Sequence, residues 1–127
     1  MTPCILAIDQ GTTNTKVLLV DGEGAVVSRA SVSVDVRFPK PGWVEQDAAH
    51  IWQTVQAAID TCLSAGAARP PSVVAISNQR ESALAWERAT GKPLGPCIVW
   101  QCRRTAPFCS ELMQSSTQRS SPVPARN

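Results

Sequence analysis

The chain has 127 residues, a length that favours a single compact domain, and its apolar fraction of 43% is enough to form a core. The charged fraction of 17% is too low for a coiled coil or a disordered charged segment. Twelve basic side chains against ten acidic ones give a formal charge of +2, which falls short of the basic surface that nucleic-acid backbones require. Composition therefore indicates a globular protein that does not bind nucleic acid.

The sequence also bears on the cell compartment. No apolar run approaches the roughly 20 residues that cross a bilayer, which predicts no membrane segment. The amino terminus has no basic lead-in, and its first apolar run, Cys4–Ile8, is interrupted by Asp9, so no signal peptide is predicted. The five cysteines form no CxxC pair and His50 is the single histidine, which argues against both a disulfide framework and a zinc site. We expect a cytoplasmic protein with reduced thiols.

Strands are predicted first along the chain. The apolar runs Cys4–Asp9 and Lys16–Asp21 are typical of buried strands. The segment between them is too polar and too short for a helix, which predicts an antiparallel hairpin. A second turn is predicted at Asp21–Gly24, and valines alternating with polar residues within Ala25–Val36 predict a third strand. These three strands form a predicted meander.

A helical crossover is predicted next. Asp47 stands at an N-cap position, and apolar residues recur at helical spacing from there to Gly66. The apolar run Val73–Ser77 then reads as a strand that is parallel to an earlier one, because a helix connects them. Ala83–Glu87 and Cys97–Trp100 flank a turn-rich segment and predict another hairpin.

The hairpin tip DQGTTNTK is the most informative local feature. Gly11 lets the backbone approach a ligand, Thr12 and Thr13 offer hydroxyl and N–H donors, and Lys16 adds positive charge. Asp9 can hold Mg²⁺ through water. These groups suit the terminal phosphates of a nucleotide, although a polar turn with one glycine is more often only a turn. The Walker and GxGxxG patterns are both missing.

A second polar cluster, Asn78–Glu81, follows the predicted parallel strand. Ligands collect at the carboxyl ends of parallel strands, so this cluster and Asp9 are expected at one edge of the sheet. Arg80 and Glu81 can donate to and accept from the hydroxyls of a sugar or polyol; the alternative is a solvated surface ion pair. Trp100 can lie against the carbon face of a polyol or belong to the core.

Five segments carry a family resemblance: DQGTTNTKVLLVD, PGWVEQD, ISNQRESALAW, ATGKP and IVWQCRRT. They occur in the same order as in the N-terminal domain of the FGGY carbohydrate kinases, and the last three are most like the glycerol kinases. The likeness covers residues 5–112. It implies an α/β, ribonuclease-H-like (actin-like ATPase) fold in partial form, with a mixed sheet. It also implies ATP as phosphoryl donor, Mg²⁺, a polyol or sugar acceptor, and homo-oligomers among full-length relatives.

The resemblance assigns an ATP phosphate site to the hairpin tip. It matches Asp9 to the family's magnesium-associated aspartate. The residues assigned to phosphate binding are Asp9, Gly11, Thr12, Thr13, Asn14 and Lys16. Two of them depart from the glycerol kinase pattern, because Lys16 stands where arginine is usual and Asn14 where serine is usual.

The acceptor site is assigned in the same way. Arg80 and Glu81 match the pair that holds the acceptor hydroxyls, and Trp100 matches an aromatic wall of the pocket. Ser82 and Ala83 replace the threonines that are common after this pair in glycerol kinases. A kinase acting on another polyol or ketose, such as a tetritol or a pentulose, therefore remains an alternative.

The matched segment is only part of a kinase. The resemblance places the general-base aspartate and the adenine pocket outside it, so the chain alone is expected to be inactive. Composition changes at residue 113, which predicts a partial kinase domain over 1–112 and a disordered, non-family tail over 113–127. The alternatives are a truncated, non-catalytic binding fragment and an actin- or chaperone-like ATPase fragment without polyol contacts.

Overall fold

A computed structural model of the chain describes residues 3–66 and 69–119. In chain order the elements are β1 (Cys4–Gln10), β2 (Asn14–Asp21), β3 (Val26–Ser33), β4 (Glu45–Gln46), α1 (Ala48–Ala65), β5 (Pro71–Asn78), β6 (Cys97–Ile98) and α2 (Ala106–Arg119). The antiparallel meander β1–β2–β3 is followed by α1 and then by β5, which pairs with β1 in parallel. The predicted meander, helical crossover and parallel fourth strand are confirmed, in the order β3-β2-β1-β5.

One face of this sheet packs against α1. Alternate residues of β1 and β2 point to that face because strands have a period of two, and they meet the apolar stripe of the helix. The buried residues of this core are Cys4, Leu6, Ile8, Val17, Leu19, Ala58 and Cys62. The opposite face stays open, with Ile5 42% and Leu18 37% exposed. The edge strand β5 is exposed along nearly its whole length.

Both predicted ends of α1 are confirmed. The Asp47 side chain caps the helix by accepting hydrogen bonds from the backbone N–H groups of Ala49 and His50. These bonds, led by the one from His50, lower the pKa of Asp47. Gly66 ends the helix, and a Cβ there would lie only 2.7 Å from Leu19 Cδ2. Glycine is therefore required where the helix end passes over β2.

The hairpin predicted between Ala83–Glu87 and Cys97–Trp100 forms only in part. Ala83 pairs with Ile98 and Trp86 with Pro93, each as an isolated antiparallel bridge. Ile98 also pairs with Glu45, so β6 forms a small two-stranded sheet with β4, which the sequence did not predict. This sheet fastens the segment that leads to Trp100 onto the segment that precedes α1.

The carboxyl-terminal segment differs from the prediction of disorder beginning at 113. Helix α2 continues to Arg119, although Phe108, Leu112 and Met113 on it are all more than half exposed. Residues 114–119 contain neither glycine nor proline, so no residue there interrupts the helical backbone. Residues 120–127 of the predicted tail lie outside the described residues. None of the described helices is long and apolar enough to cross a membrane.

Candidate functional site

The carboxyl ends of β1 and β5 open into a cavity of about 380 Å³, which we call the edge cleft. The parallel register places Asp9 beside Ser77 and Gln10 beside Asn78, so the polar residues after each strand converge. The residues lining the cleft are Asp9, Gly11, Thr12, Asn78, Gln79, Arg80, Glu81 and Trp100. Phosphate and acceptor candidates from three distant segments thus lie around one cavity.

Three predicted phosphate residues do not line the edge cleft. The Thr13 carbonyl accepts a hydrogen bond from the Val34 N–H, and the Asn14 carbonyl accepts one from the Gly11 N–H. Lys16 lies opposite Asp9 in the β1–β2 register and lines a second, largely apolar cavity of about 340 Å³ on the open sheet face, which Asp9 also lines. The roles of these three residues stay predictions.

Gly11 closes the tip of the β1–β2 hairpin at short range. Its N–H donates to the Asn14 carbonyl at 3.0 Å, and a Cβ on residue 11 would lie 3.0 Å from that same oxygen. A side chain at this position would force the tip open. The glycine thus keeps the loop tight beside the cleft.

Two glutamines hold the cleft together, and neither was among the predicted site residues. Gln46 is fully buried, and its Nε2 donates to the Thr12 carbonyl at 2.6 Å. Gln79 Nε2 donates to Gln46 Oε1 at 2.9 Å, and Gln79 Oε1 accepts from the Thr12 hydroxyl at 3.1 Å. Trp100 Nε1 also donates to that hydroxyl, at 2.9 Å. Their signal in the sequence was their place within PGWVEQD and NQRE, two of the family motifs.

Glu81 has a φ of 62°, the one positive φ outside glycine among the described residues. This left-handed conformation costs a residue with a Cβ about 1–2 kcal/mol. Strain of this kind collects at functional sites, where the surrounding structure imposes it. Glu81 lines the edge cleft beside Arg80, so the strain lies at the candidate site.

Replacement of Glu81 by glycine is expected to stabilise the chain. Glycine adopts a φ of 62° without steric cost, so we expect the free energy of unfolding to rise by about 0.5–1 kcal/mol. Urea denaturation measures this change. A Glu87→Gly variant is the control, because Glu87 has no positive φ and should lose stability. A loss of stability in both variants would contradict the strain at Glu81.

A cluster around Arg104 fixes the segment that carries Trp100. The Arg104 guanidinium donates to Glu45 Oε1 at 2.6 Å and lies 3.9 Å from the centroid of the Trp43 ring. Arg104 Nε also donates to Cys102 Sγ at 3.0 Å. These bonds, first the one to Cys102 and then the one to Glu45, raise the pKa of Arg104. Trp100 is thereby tied through its own segment to β4.

The Cys102 thiol is expected to react as a thiolate at lower pH than an ordinary cysteine. Desolvation raises its pKa, but hydrogen bonds from Arg104 and from nearby backbone groups outweigh that effect and lower it. The thiolate is the nucleophile, so alkylation by iodoacetamide should become half-maximal at a lower pH than for N-acetylcysteine. Peptide mass spectrometry follows the site. An Arg104→Leu variant should shift the profile upward; an unchanged profile would contradict the assigned cause.

Size alone does not identify the site. A cavity of about 520 Å³, larger than the edge cleft, lies between the segment after Cys102 and α2. Its lining includes Arg103, Cys109 and Met113 but no carboxylate, and it contains none of the predicted site residues. The edge cleft is smaller but gathers acid, base, hydroxyl and aromatic groups at the ends of two parallel strands. Its chemistry makes it the better candidate.

A meander followed by a helical crossover to a parallel strand, with a polar cleft at the shared edge, defines the first part of a ribonuclease-H-like (actin-like ATPase) domain. A family model described as "FGGY family of carbohydrate kinases, N-terminal domain" matches residues 4–123. The chain belongs to this family, which confirms the resemblance. The match extends beyond residue 112, where the domain boundary was predicted.

Similar sequences and structures include sugar and polyol kinases. Apulose kinase of Pectobacterium atrosepticum is 49% identical, over 93% of this chain and 24% of that protein. Glycerol kinase of Bacillus cytotoxicus is 46% identical, over 87% of this chain and 23% of that protein. The structure of Plasmodium falciparum glycerol kinase with ADP superposes with a TM-score of 0.82 at 32% identity, over 89% and 23%. This chain spans about a quarter of the length of these relatives.

Proposed function

We propose that this chain is the N-terminal part of an ATP-dependent carbohydrate kinase of the cytoplasm, which transfers the γ-phosphoryl group to a hydroxyl of a polyol or ketose. The observation that carries the proposal is the edge cleft, where the tip of the first hairpin meets Arg80, Glu81 and Trp100. Family membership supports the reaction class. The ADP named in the Plasmodium structure supports an adenine nucleotide as donor.

The phosphate half of the cleft contains Asp9, Gly11 and Thr12. The Asp9 carboxylate is exposed at the end of β1, and Mg²⁺ prefers one or two carboxylates together with waters and substrate phosphates. The described residues contain no cluster of three or more metal-ligating side chains, which fits that mode rather than a protein cage. Asp9 would hold the ion through water. When bound, Mg²⁺ neutralises charge on the transferring phosphoryl group.

The acceptor half contains Arg80, Glu81 and Trp100. The guanidinium can donate to the acceptor hydroxyls and the carboxylate can accept from them. The Trp100 indole N–H is directed to Thr12, while 54% of the residue is exposed. Its ring can therefore pack against the carbon face of the acceptor beside the phosphate half.

Phosphoryl transfer also needs a group that takes the proton from the acceptor hydroxyl. Among the described residues, the carboxylates that line the cleft are Asp9 and Glu81, and the proposal gives both of them binding roles. We place the general base in a further segment of the longer kinase. Because a base and the exclusion of water each contribute large factors to the rate, the 127-residue chain should release no ADP from ATP and glycerol above an Asp9→Ala control. Release above that control would contradict this part of the proposal.

The acceptor is a polyol or ketose whose identity a binding screen would establish. The Ser82 hydroxyl donates to Gln79 and accepts from the Trp100 backbone N–H, so its proton is already used within the protein. Calorimetric titration of glycerol, erythritol and xylulose into the chain with Mg-ATP tests the class. Binding of at least one, and its loss in Arg80→Ala, supports the proposal. Binding of Mg-ATP with no response to any of the three would contradict the acceptor half.

A further inference from the structure

Gln46, Gln79 and Thr12 form a closed circuit of hydrogen bonds inside the edge cleft. It runs from the Thr12 hydroxyl to Gln79, from Gln79 to Gln46, and from Gln46 back to the Thr12 carbonyl. The circuit joins residues that lie 33 to 67 positions apart along the chain. It therefore connects the β1–β2 tip, the segment before α1 and the segment after β5.

The direction of each bond in the circuit is fixed by chemistry. A carbonyl oxygen only accepts, so Gln46 must present its NH₂ to Thr12 and its Oε1 to Gln79. Gln79 must then present its NH₂ to Gln46, which turns its own Oε1 toward the Thr12 hydroxyl. The proton of that hydroxyl is thereby committed to Gln79.

The same hydroxyl also accepts a hydrogen bond from the Trp100 indole N–H. Trp100 Nε1 donates to Thr12 Oγ1, and the Trp100 backbone N–H donates to Ser82, whose hydroxyl donates to Gln79 Oε1. Trp100 is thus tied to Gln79 by two routes. If the Thr12 hydroxyl donates to a phosphate oxygen, its hydrogen bond to Gln79 Oε1 must break. This change also affects Trp100, against which the acceptor would lie.

We propose that Gln46 and Gln79 are positioning residues that couple the phosphate half of the edge cleft to its acceptor half. The inference rests on the proposed function, since both halves must bind ligands. Because the Thr12 hydroxyl belongs to both halves, a ligand that redirects its hydrogen bond in one half changes the bonds that hold Trp100 in the other half, and so changes the Kd of the second ligand. The coupling is reciprocal: an acceptor in the cleft must change the Kd of Mg-ATP by the same factor.

The test measures this coupling on the 127-residue chain. Nuclear magnetic resonance titrations give the Kd of glycerol, and of xylulose in a parallel series, with and without saturating Mg-ATP. In the wild-type chain we expect Mg-ATP to change the Kd of the acceptor at least about fivefold. In Gln79→Met the ratio should become about one, because the circuit is broken. In Trp100→Phe the ratio should move toward one, because the bond from the indole to Thr12 is lost. A residue with a purely structural role would not change this ratio.

Matched controls isolate the effect. Gln53→Met removes an exposed glutamine on α1, and Trp86→Phe alters a tryptophan that is 59% exposed outside the cleft; both should keep the wild-type ratio. If Gln79→Met does not fold, Trp100→Phe decides, because it removes one N–H from an exposed ring. Coupling that is undiminished in Trp100→Phe, or a wild-type ratio of one with both ligands bound, overturns the proposal. Failure of either ligand to bind the wild-type chain overturns the proposed function, and the coupling with it.

Discussion

Truncation of Leu19 to alanine is expected to lower the free energy of unfolding by about 2–5 kcal/mol. Leu19 is 0% exposed in the core between the sheet and α1. A Cβ on Gly66 would clash with its Cδ2, so the Leu19 side chain is already packed closely against the end of α1. Removing the side chain would leave a cavity that the rigid sheet and the capped helix can fill only in part. Urea denaturation with an unchanged m-value is the measurement.

The neighbouring residue in β2 provides the control. Leu18 has the same side chain but points to the open face and is 37% exposed. Leu18→Ala should cost less than about 1 kcal/mol, because no tightly packed cavity forms. Equal losses in the two variants would mean that α1 does not cover the face assigned to it. The pair therefore tests strand register as well as burial.

Replacement of Arg80 by alanine is expected to weaken acceptor binding at least about tenfold. A hydrogen bond from a charged donor contributes about 1.5–3 kcal/mol, and about 1.4 kcal/mol is a tenfold change in Kd. Arg80 lines the acceptor half of the edge cleft, while the phosphate candidates there belong to the β1–β2 hairpin. The Kd of Mg-ATP should therefore change less than about threefold. Calorimetric titration of each ligand gives both values.

Arg88→Ala is the matched control, since Arg88 is an exposed arginine nearby in sequence that does not line the cleft. It should leave the acceptor Kd unchanged. Equal weakening in Arg80→Ala and Arg88→Ala would reduce the role of Arg80 to general surface charge. Loss of Mg-ATP binding together with the acceptor would contradict the division of the cleft into two halves.

The elements that the sequence predicted correctly are those with a local signature. A few neighbouring residues were enough to predict the strands β1, β2 and β5 and the helix cap at Asp47. The β4–β6 pair was not, because its strands have two residues each and show no alternation. The helix beyond residue 112 was missed for another reason: composition predicts how much surface a segment can bury, whereas an exposed helix depends on local propensity.

The site was predictable where it followed strand ends, and less so elsewhere. Asp9 and Arg80 meet because parallel strands end at one edge of a sheet. Lys16 was assigned to the phosphates from its place in a motif; strand alternation places it on the open face beside Asp9, and its role stays a prediction. Gln46 and Gln79 stand within family motifs, but the bonds between their amides could not be predicted because they depend on how distant segments pack.

The central claim is that the edge cleft binds both the nucleotide phosphates and the acceptor. The most direct test is the set of amide and indole chemical-shift changes in the ¹H–¹⁵N spectrum of the chain on addition of Mg-ATP and then glycerol or xylulose. We expect the Mg-ATP changes at Gly11 and Thr12, the acceptor changes at Arg80 and Glu81, and a response of the Trp100 indole to both. Changes confined to the larger cavity beside α2, or none at the cleft, would contradict the claim.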